Sequence, residues 1–416
     1  MRAILIWLIF QRSPLKNSPV TYITETKMSH IIEEYEKSLG VKKSYPVVNR
    51  HFFPTNCSNY ILISNQQKVP SKKYAHFLMA VDLLKSFCIE RGIKIYQLGS
   101  GHERELVQGV DRMYSNLTFR QEAYLISKAL VLISVDNVYT QYASSQKIPI
   151  VNLFGNVYSS VTSGCWSKNK VDLEPKWKVK PSLSHADPHF SISSIYPEKI
   201  AQSVINFIDP KVKINFITKH IGKSFYEQNV IDVVPTNYVN LPIFENKTLL
   251  LRLDYGFDET AFFEYCKSHQ CAIILRNNVI QLPKLQPLAR NIKKIIIVLD
   301  NLDQKIDTRY FYALKKLNID HQIVIENKSI LDDARLEYFD QNVTLYDPVK
   351  ERPEKIRIDA CFFSFKKVVE GQNVYESKAH WKNRQLSVDK QTKILDTPEY
   401  WEDLEYYYVY EQSENS

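Results

Sequence analysis

Two groups of residues between positions 92 and 164 have types and a spacing that suit an anionic ligand carrying hydroxyl groups. Gly99-Ser100-Gly101 follows an apolar run, and a helix that begins after such a glycine turn offers free backbone N–H groups to an anion. Asp136 and Asn137 end a second apolar run, with Gln141 one helical turn further on. A carboxylate can accept two hydrogen bonds from a vicinal diol.

The elements that must position these residues form a β-α-β pattern. Short apolar runs rich in β-branched residues predict buried parallel strands, and crossover connections bring the carboxyl ends of such strands to one edge of the sheet. Ligands of open α/β sheets bind along that edge. The predicted strands are 93–98, 131–135 and 149–154, the last closed by Gly155 and Asn156, and the predicted helices are 103–107 and 140–145.

The distribution of glycine indicates that this segment needs close backbone contacts or positive φ angles. Six of the ten glycines lie between residues 92 and 164. Two plainer interpretations stay open. Gly99-Ser100-Gly101 lacks the third glycine of the dinucleotide-binding fingerprint, so it could be an ordinary turn between a strand and a helix. An aspartate at a strand end, such as Asp136, is often a helix cap.

Three segments in this region, LGSGHERE, LISVDNVYTQYA and IPIVNLFGN, together resemble the carboxyl-terminal half of the heptosyltransferases. These enzymes are glycosyltransferase family 9 and have the GT-B fold. The resemblance covers residues 58–208, about a third of the chain, and ends at a predicted helix over 197–207. It implies a Rossmann-like domain that binds a nucleotide-sugar donor.

The resemblance also implies roles for single residues. In the family an acidic residue after the glycine turn binds the ribose, which Glu103 matches, and an Asp-led segment lines the diphosphate and the sugar, which Asp136 matches. Ser71-Lys72-Lys73-Tyr74 matches the family's lysine motif at the start of a predicted helix through residue 88, which makes Lys72 the cation that faces the phosphates. The implied donor site comprises Lys72, Gly99, Gly101, Glu103, Asp136, Asn137, Gln141 and Gly155.

Two residues depart from the family pattern. Val138 stands where the motif has glycine, and Gln141 stands where it has histidine. Glutamine can hydrogen-bond to a sugar or a phosphate, but it carries neither a proton nor a charge. The implied chemistry is inverting transfer in which a lysine and helix N–H groups neutralise the departing diphosphate, so neither a metal nor a cofactor is expected.

From residue 211 the alternation of strands and helices restarts, which predicts a second α/β domain with a largely parallel sheet. Asp258 and Asp307 supply capping acceptors at the start of two of its helices. The predicted strands are 214–217, 230–234, 248–253, 272–275, 294–299, 321–325 and 343–346, and the predicted helices are 259–268, 308–317 and 330–339.

The expected fold is therefore α/β, with two Rossmann-like domains and a carboxyl-terminal helical tail. Fewer than sixty residues precede the donor-like half, too few for the acceptor domain that comes first in an ordinary GT-B enzyme. Either the acceptor side follows in a permuted order, which we prefer, or an unrelated domain follows. The predicted divisions are an amino-terminal segment 1–57, a donor-binding domain 58–210, a second domain 211–350 and an extension 351–416.

Inverting transfer needs a base close to the acceptor hydroxyl, and strand ends are where such a base lies. Asp254 and Asp300 both end apolar strands. Asp254 is the preferred candidate for the catalytic base because Gly256 allows a tight turn beside it. A capping or turn role is the alternative for each aspartate.

Both termini carry distinctive patterns. The opening MRAILIWLIF is too short to span a bilayer and reads as a strand or as an overlong start, with Met28 as an alternative initiator. At the other end, Thr397-Pro398-Glu399 is a good helix start. The spacing of the apolar residues after it predicts an amphipathic helix that contains Trp401, Leu404, Tyr407 and Tyr408.

Composition limits the classes of protein and partner. At 416 residues with 44% apolar content the chain can form two or three packed domains, and six cysteines without a CxxC pair indicate reduced thiols in the cytoplasm. The formal net charge is +8, but residues 396–416 hold seven acids and no base, so the rest of the chain carries +15. This basic part of the chain suits a negatively charged partner such as a nucleotide diphosphate, an anionic glycan, nucleic acid or an anionic membrane. The alternative is a lysine-rich surface that binds no such partner.

Together with the resemblance to family 9, these observations predict a cytoplasmic, metal-independent glycosyltransferase. It would transfer a sugar from a nucleotide-diphosphate sugar to a hydroxyl of a glycan or glycolipid acceptor, such as a lipopolysaccharide-like or other surface glycan. Two alternatives stay open. One is a degenerate GT-B-like protein that binds without turnover, and the other is a nucleic-acid-associated glycosyltransferase that modifies bases, for which no DNA-binding motif is present.

Overall fold

The computed structural model divides the chain into two compact units, residues 1–215 and 216–416. The predictions for the first 28 residues, for Gly101 and Glu103, and for the helix start at 397–401 lie outside the described residues. The structure describes residues 29–65, 69–99, 106–176, 180–182, 191–226, 229–303, 305–346, 356–357, 360–364, 366–384, 391–393 and 404–413.

The first unit contains a six-stranded sheet in the order β3-β2-β1-β4-β5-β6, and every neighbouring pair of strands is parallel. Its central strands are buried on both faces, as expected for a parallel sheet covered by helices. The strands are β1 Tyr60–Ser64, β2 Lys94–Gly99, β3 Arg112–Ser115, β4 Val131–Val135, β5 Ile150–Leu153 and β6 Lys170–Leu173.

Helices cover both faces of this sheet. Side chains that alternate along the strands divide between two cores, so that Ile61 and Ile63 pack with helices α2 and α6, whereas Tyr60 and Leu62 pack with α3 and α4. The predicted strand over 131–135 has the predicted bounds, and the other predicted strands of this unit differ by one residue at each end. The helices are α1 Ile31–Leu39, α2 Phe77–Glu90, α3 Phe119–Lys128, α4 Val138–Ser145, α5 Ser159–Thr162 and α6 Pro197–Ile208.

Two helix predictions in this unit are wrong in part. The helix predicted from Ser71 begins at Phe77, because the chain makes a single 3-10 turn over Pro70–Lys72 and is then extended at Lys73. Of the helix predicted over 103–107, only Leu106 and Val107 are described, and neither is helical.

The second unit contains an eight-stranded sheet in the order β13-β12-β11-β10-β9-β8-β15-β16, in which only the β15–β16 pair is antiparallel. The two units are thus both α/β with mostly parallel sheets, as predicted. The strands are β8 Val230–Val234, β9 Thr248–Arg252, β10 Cys271–Arg276, β11 Ile292–Leu299, β12 Asp320–Ile325, β13 Val343–Leu345, β15 Val368–Glu370 and β16 Asn373–Tyr375.

From β8 to β13 each strand lies beside the preceding one in the chain, always on the same side. Right-handed crossovers then place all the connecting helices on one face of the sheet. One core accordingly unites alternate strand residues such as Leu249 and Ile273 with helix residues such as Phe262 and Phe311. The helices of this unit are α7 Glu259–Ser268, α8 Leu282–Leu285, α9 Thr308–Lys316, α10 Leu331–Glu337 and α11 Lys378–Lys382, and Asp258 and Asp307 cap α7 and α9 as predicted.

A separate antiparallel sheet corrects the prediction of a carboxyl-terminal helix. Its order is β17-β14-β18-β7, with β7 Phe216–Ile221, β14 Cys361–Ser364, β17 Gln391–Lys393 and β18 Tyr407–Gln412. Leu404 lies in a 3-10 turn, and Tyr407 and Tyr408 lie in β18, so the helix is wrong for these residues. The run YYYVY has high β-propensity, and the pairing of β18 with β14 on one side and β7 on the other stabilises it as a strand.

The contact between the 3-10 turn at Leu404 and Gly222 leads to a testable prediction. A Cβ atom at Gly222 would lie 2.0 Å from the carbonyl oxygen of Leu404. Gly222→Ala should therefore lower the free energy of unfolding by about 2 kcal/mol, measured by urea denaturation. Gly371→Ala is the control, because a Cβ there meets no atom within 4 Å and only the φ of +57° is unfavourable, at about 1 kcal/mol. An equal or smaller loss at Gly222 would contradict the packing of Leu404.

Candidate functional site

The first sheet has one position where the direction of its connections reverses. From β1 the chain proceeds to β2 and β3 on one side, and from β4 it proceeds to β5 and β6 on the other. In open α/β sheets the ligand crevice lies outside the carboxyl ends of the two strands at such a position. The crevice predicted by topology is therefore bordered by the residues that follow Ser64 and Val135.

Lys72 and Asp136 meet at this position. The Lys72 ammonium donates to the backbone carbonyl of Asp136 at 3.1 Å and to its carboxylate Oδ2 at 3.2 Å. The two side chains are only 14% and 9% exposed. Both were predicted as donor-site residues, and the structure places them in contact although 64 residues separate them in the chain.

Two further side chains continue this network. Thr162 donates its hydroxyl to Asp136 Oδ2 at 3.0 Å, so one carboxylate oxygen accepts from both the lysine and the threonine. Gln141 donates its amide Nε2 to the backbone carbonyl of Thr162, and its Oε1 is buried without a hydrogen-bond partner among the described residues. Among the described residues, this hydrogen-bond network from Lys72 to Gln141 therefore contains one cation, one carboxylate and neutral groups.

Asn137 is the N-cap of α4. Its side-chain oxygen accepts from the backbone N–H of Tyr139 at 2.9 Å, and Thr140 donates its hydroxyl back to the Asn137 carbonyl at 2.8 Å. The capping role that the sequence left open for Asp136 thus belongs to Asn137. Because Asn137 caps the helix, the Asp136 carboxylate is left to bind Lys72 and Thr162.

Gly155 positions Lys72 by a close backbone contact. A Cβ atom at Gly155 would lie 2.2 Å from the carbonyl oxygen of Ser71 and 3.0 Å from Cβ of Ile192, so a larger residue would push the Lys72 turn away. Ser191 also donates its hydroxyl to the Gly155 carbonyl at 2.5 Å. Gly155, predicted as a donor-site residue, therefore has a packing role that sets where Lys72 lies.

A row of polar residues crosses the carboxyl end of the sheet on the face covered by α3 and α4. Ser64, Ser134 and Asn152 are paired in register on β1, β4 and β5, and all three are buried. The Ser134 hydroxyl donates to the Val135 carbonyl. The Ser64 hydroxyl and both amide atoms of Asn152 have no hydrogen-bond partner among the described residues. Buried groups of this kind are satisfied in native proteins by water or ligand.

The remaining predicted donor residues contribute less. Gly99 is the last residue of β2, and a Cβ atom there would meet only the flexible end of Met113. Gly101 and Glu103 lie outside the described residues, so their roles stay predictions. Within the described part of the chain, no three His, Cys, Asp or Glu side chains come together as a metal site.

In the second unit, Asp254 belongs to an ion cluster. Its two carboxylate oxygens accept from Arg252 at 2.9 and 2.7 Å, and its side chain is 3% exposed. Arg252 also donates to Asp232 at 3.1 Å, and Lys366 lies 3.1 Å from the other oxygen of Asp232. Burial lowers the pKa of Arg252, but the hydrogen bond to Asp254 and the charge of Asp232 outweigh it and raise that pKa. Both oxygens of the Asp254 carboxylate are therefore bound by Arg252 and buried from solvent.

The other candidate for the base, Asp300, is also paired. It accepts from Arg276 at 2.5 Å and from the Asn277 amide at 2.8 Å. Arg276 binds Glu326 as well, at 2.8 and 2.9 Å. The catalytic role of Asp254 therefore stays a prediction.

Thr162 and Asn152 were not predicted as site residues. Asn152 could have been noticed, because a lone amide inside the apolar run IVNLF contradicts the strand pattern. Thr162 gave no such signal, since a threonine in a polar segment is common and only the fold brings it to Asp136.

Among solved structures, family 9 glycosyltransferases and heptosyltransferases match part of this chain at low similarity. A family 9 glycosyltransferase from Veillonella parvula is 15% identical, with a TM-score of 0.30 over 42% of this chain and 49% of that one. ADP-heptose LPS heptosyltransferase II from E. coli is 16% identical, with a TM-score of 0.30 over 46% and 55%. The E. coli heptosyltransferase WaaC with ADP is 17% identical, with a TM-score of 0.32 over 44% and 58%.

These proteins are heptosyltransferases and a family 9 glycosyltransferase. The chain spans about half the length of these proteins. No family model matches the chain, and no curated protein matches it. The longest helix among the described residues has 14 residues, and none of the described helices is long and apolar enough to cross a membrane.

The ion pair at the crevice predicts a specific pattern of stabilities. Lys72→Met should lower the free energy of unfolding by about 3 kcal/mol, because it leaves the buried Asp136 carboxylate without its cation. Adding Asp136→Asn should restore part of this loss, since the amide can still accept from Thr162 and carries no charge. The measurement is chemical denaturation of the single and double variants. Lys73→Met, at an exposed neighbouring lysine, is the matched control, and equal losses at the two lysines would contradict the ion pair.

His76, four residues after Lys72, predicts a pH dependence of stability. Burial lowers the pKa of His76 from 6.5 to about 4, and a backbone hydrogen bond at Ser193 raises that pKa by a smaller amount. The unfolded chain therefore takes up a proton at a pH where the folded protein does not. His76 therefore costs no stability above pH 6.5. As the pH drops toward 4, the free energy of unfolding should fall by about 3 kcal/mol because of this residue. Denaturation curves of His76→Leu should lack this slope, and an unchanged slope would contradict the assignment.

Proposed function

We propose that the first unit binds a nucleotide-diphosphate sugar at the crevice between β1 and β4 and that the protein is a glycosyltransferase. The observation that carries the proposal is the meeting of Lys72 and Asp136 at the one position where the sheet's connections reverse. Topology alone selects this position as the ligand crevice, and the resemblance to family 9 selects the same two residues. Neither argument depends on the other.

The charges suit such a donor. An ammonium donates up to three hydrogen bonds, and Lys72 uses two of them on Asp136. The side chain retains some exposure, so a diphosphate oxygen can approach the ammonium. A bound diphosphate would gain the lysine charge while Asp136 and Thr162 keep the side chain in place. The cation is thus positioned before the ligand arrives, which reduces the cost of ordering it.

In the proposed inverting reaction, an acceptor hydroxyl oxygen attacks the anomeric carbon. The bond from that carbon to the diphosphate oxygen breaks, and the nucleoside diphosphate leaves with the electron pair. Lys72 stabilises the charge that develops on the leaving group. The hydroxyl proton passes to a base, for which Asp254 is the candidate given by the sequence. The inverting course, the independence from metal, the glycan or glycolipid acceptor and the cytoplasmic location rest on the sequence and its resemblance.

Binding without turnover is a second candidate, and Gln141 favours it. This residue replaces the family's histidine, and its amide nitrogen is committed to the Thr162 carbonyl. It therefore cannot supply a proton or a positive charge to a substrate. The same crevice could bind a nucleotide sugar as a ligand and release it unchanged.

The proposal predicts stabilisation by one class of nucleotide sugar. In a thermal-shift screen against ADP-, UDP- and GDP-sugars, without metal and then with magnesium, one class should raise the Tm of the full chain by mass action, whereas CMP-sugars, which carry a single phosphate, should not. At a concentration of about 100 times Kd the gain is about 2.7 kcal/mol. Lys72→Met should weaken this binding about tenfold or more through the lost charge, whereas Lys73→Met should not.

The controls separate the two candidates. Glu103→Ala tests the predicted ribose contact in the same assay. Release of nucleoside diphosphate in the presence of an acceptor glycan would support the transferase, and binding without release would support the second candidate. If no nucleotide sugar stabilises the protein at millimolar concentration, or if Lys72→Met and Lys73→Met behave alike, the proposed site is wrong.

A further inference from the structure

The segment that precedes the first sheet forms a strap, defined here as residues 39–57. Its first residue, Leu39, is the last of α1, residues 40–57 contain no helix or strand, and the strap is fixed to the first unit at several points. The Trp166 indole donates to the Ser44 carbonyl at 3.1 Å, and the His51 backbone N–H donates to the Arg120 carbonyl at 3.1 Å. Val48 and Phe53 pack against the core on the α3 side of the sheet.

Several apolar side chains of the strap lie between these anchors and are largely exposed, although the Phe52 ring contacts Tyr124 edge-on at 5.3 Å. Val47 is 81% exposed and Phe52 is 71% exposed, each next to a residue that packs inward. Leu39, Val41 and Tyr45 are also more than half exposed. Five of the fifteen exposed large apolar side chains among the described residues therefore fall within fourteen consecutive positions. Such a concentration indicates an interaction surface.

The charged residues of the strap all have the same sign. Lys42, Lys43 and Arg50 are exposed, as is His51. The chain has no Asp or Glu from residue 37 to residue 81. The nearest acid in the chain, Glu36, lies at the end of α1 and accepts a hydrogen bond from the Lys43 backbone N–H. The strap therefore presents apolar side chains interspersed with cations.

Another exposed apolar pair differs from the strap in the charge of its neighbours. In the second unit Leu336 is 76% exposed and Phe339 is 84% exposed, so their side chains are as accessible as those of Val47 and Phe52. Their neighbours in the chain are mainly acidic, with Asp332, Asp333, Glu337 and Asp340 against Arg335. A negatively charged partner would be attracted to the strap and repelled from this second pair.

We propose that the strap docks the protein on the surface of an anionic lipid bilayer. Apolar side chains enter the boundary between headgroups and acyl chains, and neighbouring lysines and arginines bind the anionic headgroups. Nucleic acid offers the same charge but would leave Val41, Val47 and Phe52 in water. The inference goes beyond the proposed function, because the strap contacts do not include Lys72 or Asp136.

The test is co-sedimentation of the full chain with lipid vesicles at low and high salt. One set of vesicles is phosphatidylcholine alone, and the other contains about a third phosphatidylglycerol. The protein should sediment with the anionic vesicles, less with the neutral ones, and less at high salt because the electrostatic part is screened. Equal binding to both kinds of vesicle, or none at low salt, would overturn the proposal.

Matched variants locate the contact. Lys42→Gln with Lys43→Gln should lower the partition onto anionic vesicles about 30-fold, from about 1 kcal/mol for each cation. Val47→Ser with Phe52→Ser should lower it about tenfold or more by removing apolar contact. Leu336→Ser with Phe339→Ser removes side chains of the same exposure from an acidic surface and should have no effect.

Two further measurements keep the outcome interpretable. All the substituted side chains are exposed, so thermal melting should be unchanged, and nucleotide-sugar binding at the crevice should also be unchanged. Light scattering tests whether a second copy of the chain covers the strap. If the Val47 and Phe52 variants abolish a dimer and leave vesicle binding intact, the strap is a protein interface and the lipid proposal is wrong.

Discussion

The parallel pairing of the first sheet is the constraint on which the candidate site depends. Parallel strands require crossovers, so every strand of this sheet ends at the same edge. The order β3-β2-β1-β4-β5-β6 then leaves a single place where the connections separate. Lys72 follows one of the two strands at this place and Asp136 follows the other. The topology of the sheet therefore brings the two residues together, and the chemistry of their side chains then determines how they bind.

Close packing at the edge of the sheet then fixes where these side chains lie. The approach of Gly155 to the Ser71 carbonyl brings the loop after β5 against the turn that carries Lys72. Asn137 caps α4 and leaves the neighbouring carboxylate to Lys72 and Thr162. Beside the crevice, Asn152 and Ser64 keep buried polar atoms that have no hydrogen-bond partner in the described part of the chain. Native proteins accept such costs mainly at functional sites.

The strands of the second unit are connected in a different order. Its strands from β8 to β13 succeed one another in a single direction, and its helices share one core on one face. The chain then returns to add β15 and β16 to this sheet and to build a small antiparallel sheet around β18. The buried cluster of Asp254, Arg252, Asp232 and Lys366 has balanced charges, which suits a structural role as well as a chemical one.

The sequence by itself determined the alternation of strands and helices and the caps Asp258 and Asp307. These features depend on local periodicity and on residues a few positions apart. Tertiary structure alone decided that Tyr407 and Tyr408 form a strand, because a β-strand is stabilised by partners distant in the chain. It also decided that Thr162 binds Asp136 and that Val47 faces solvent while Val48 is covered. Contacts between distant segments leave no periodic pattern in the sequence.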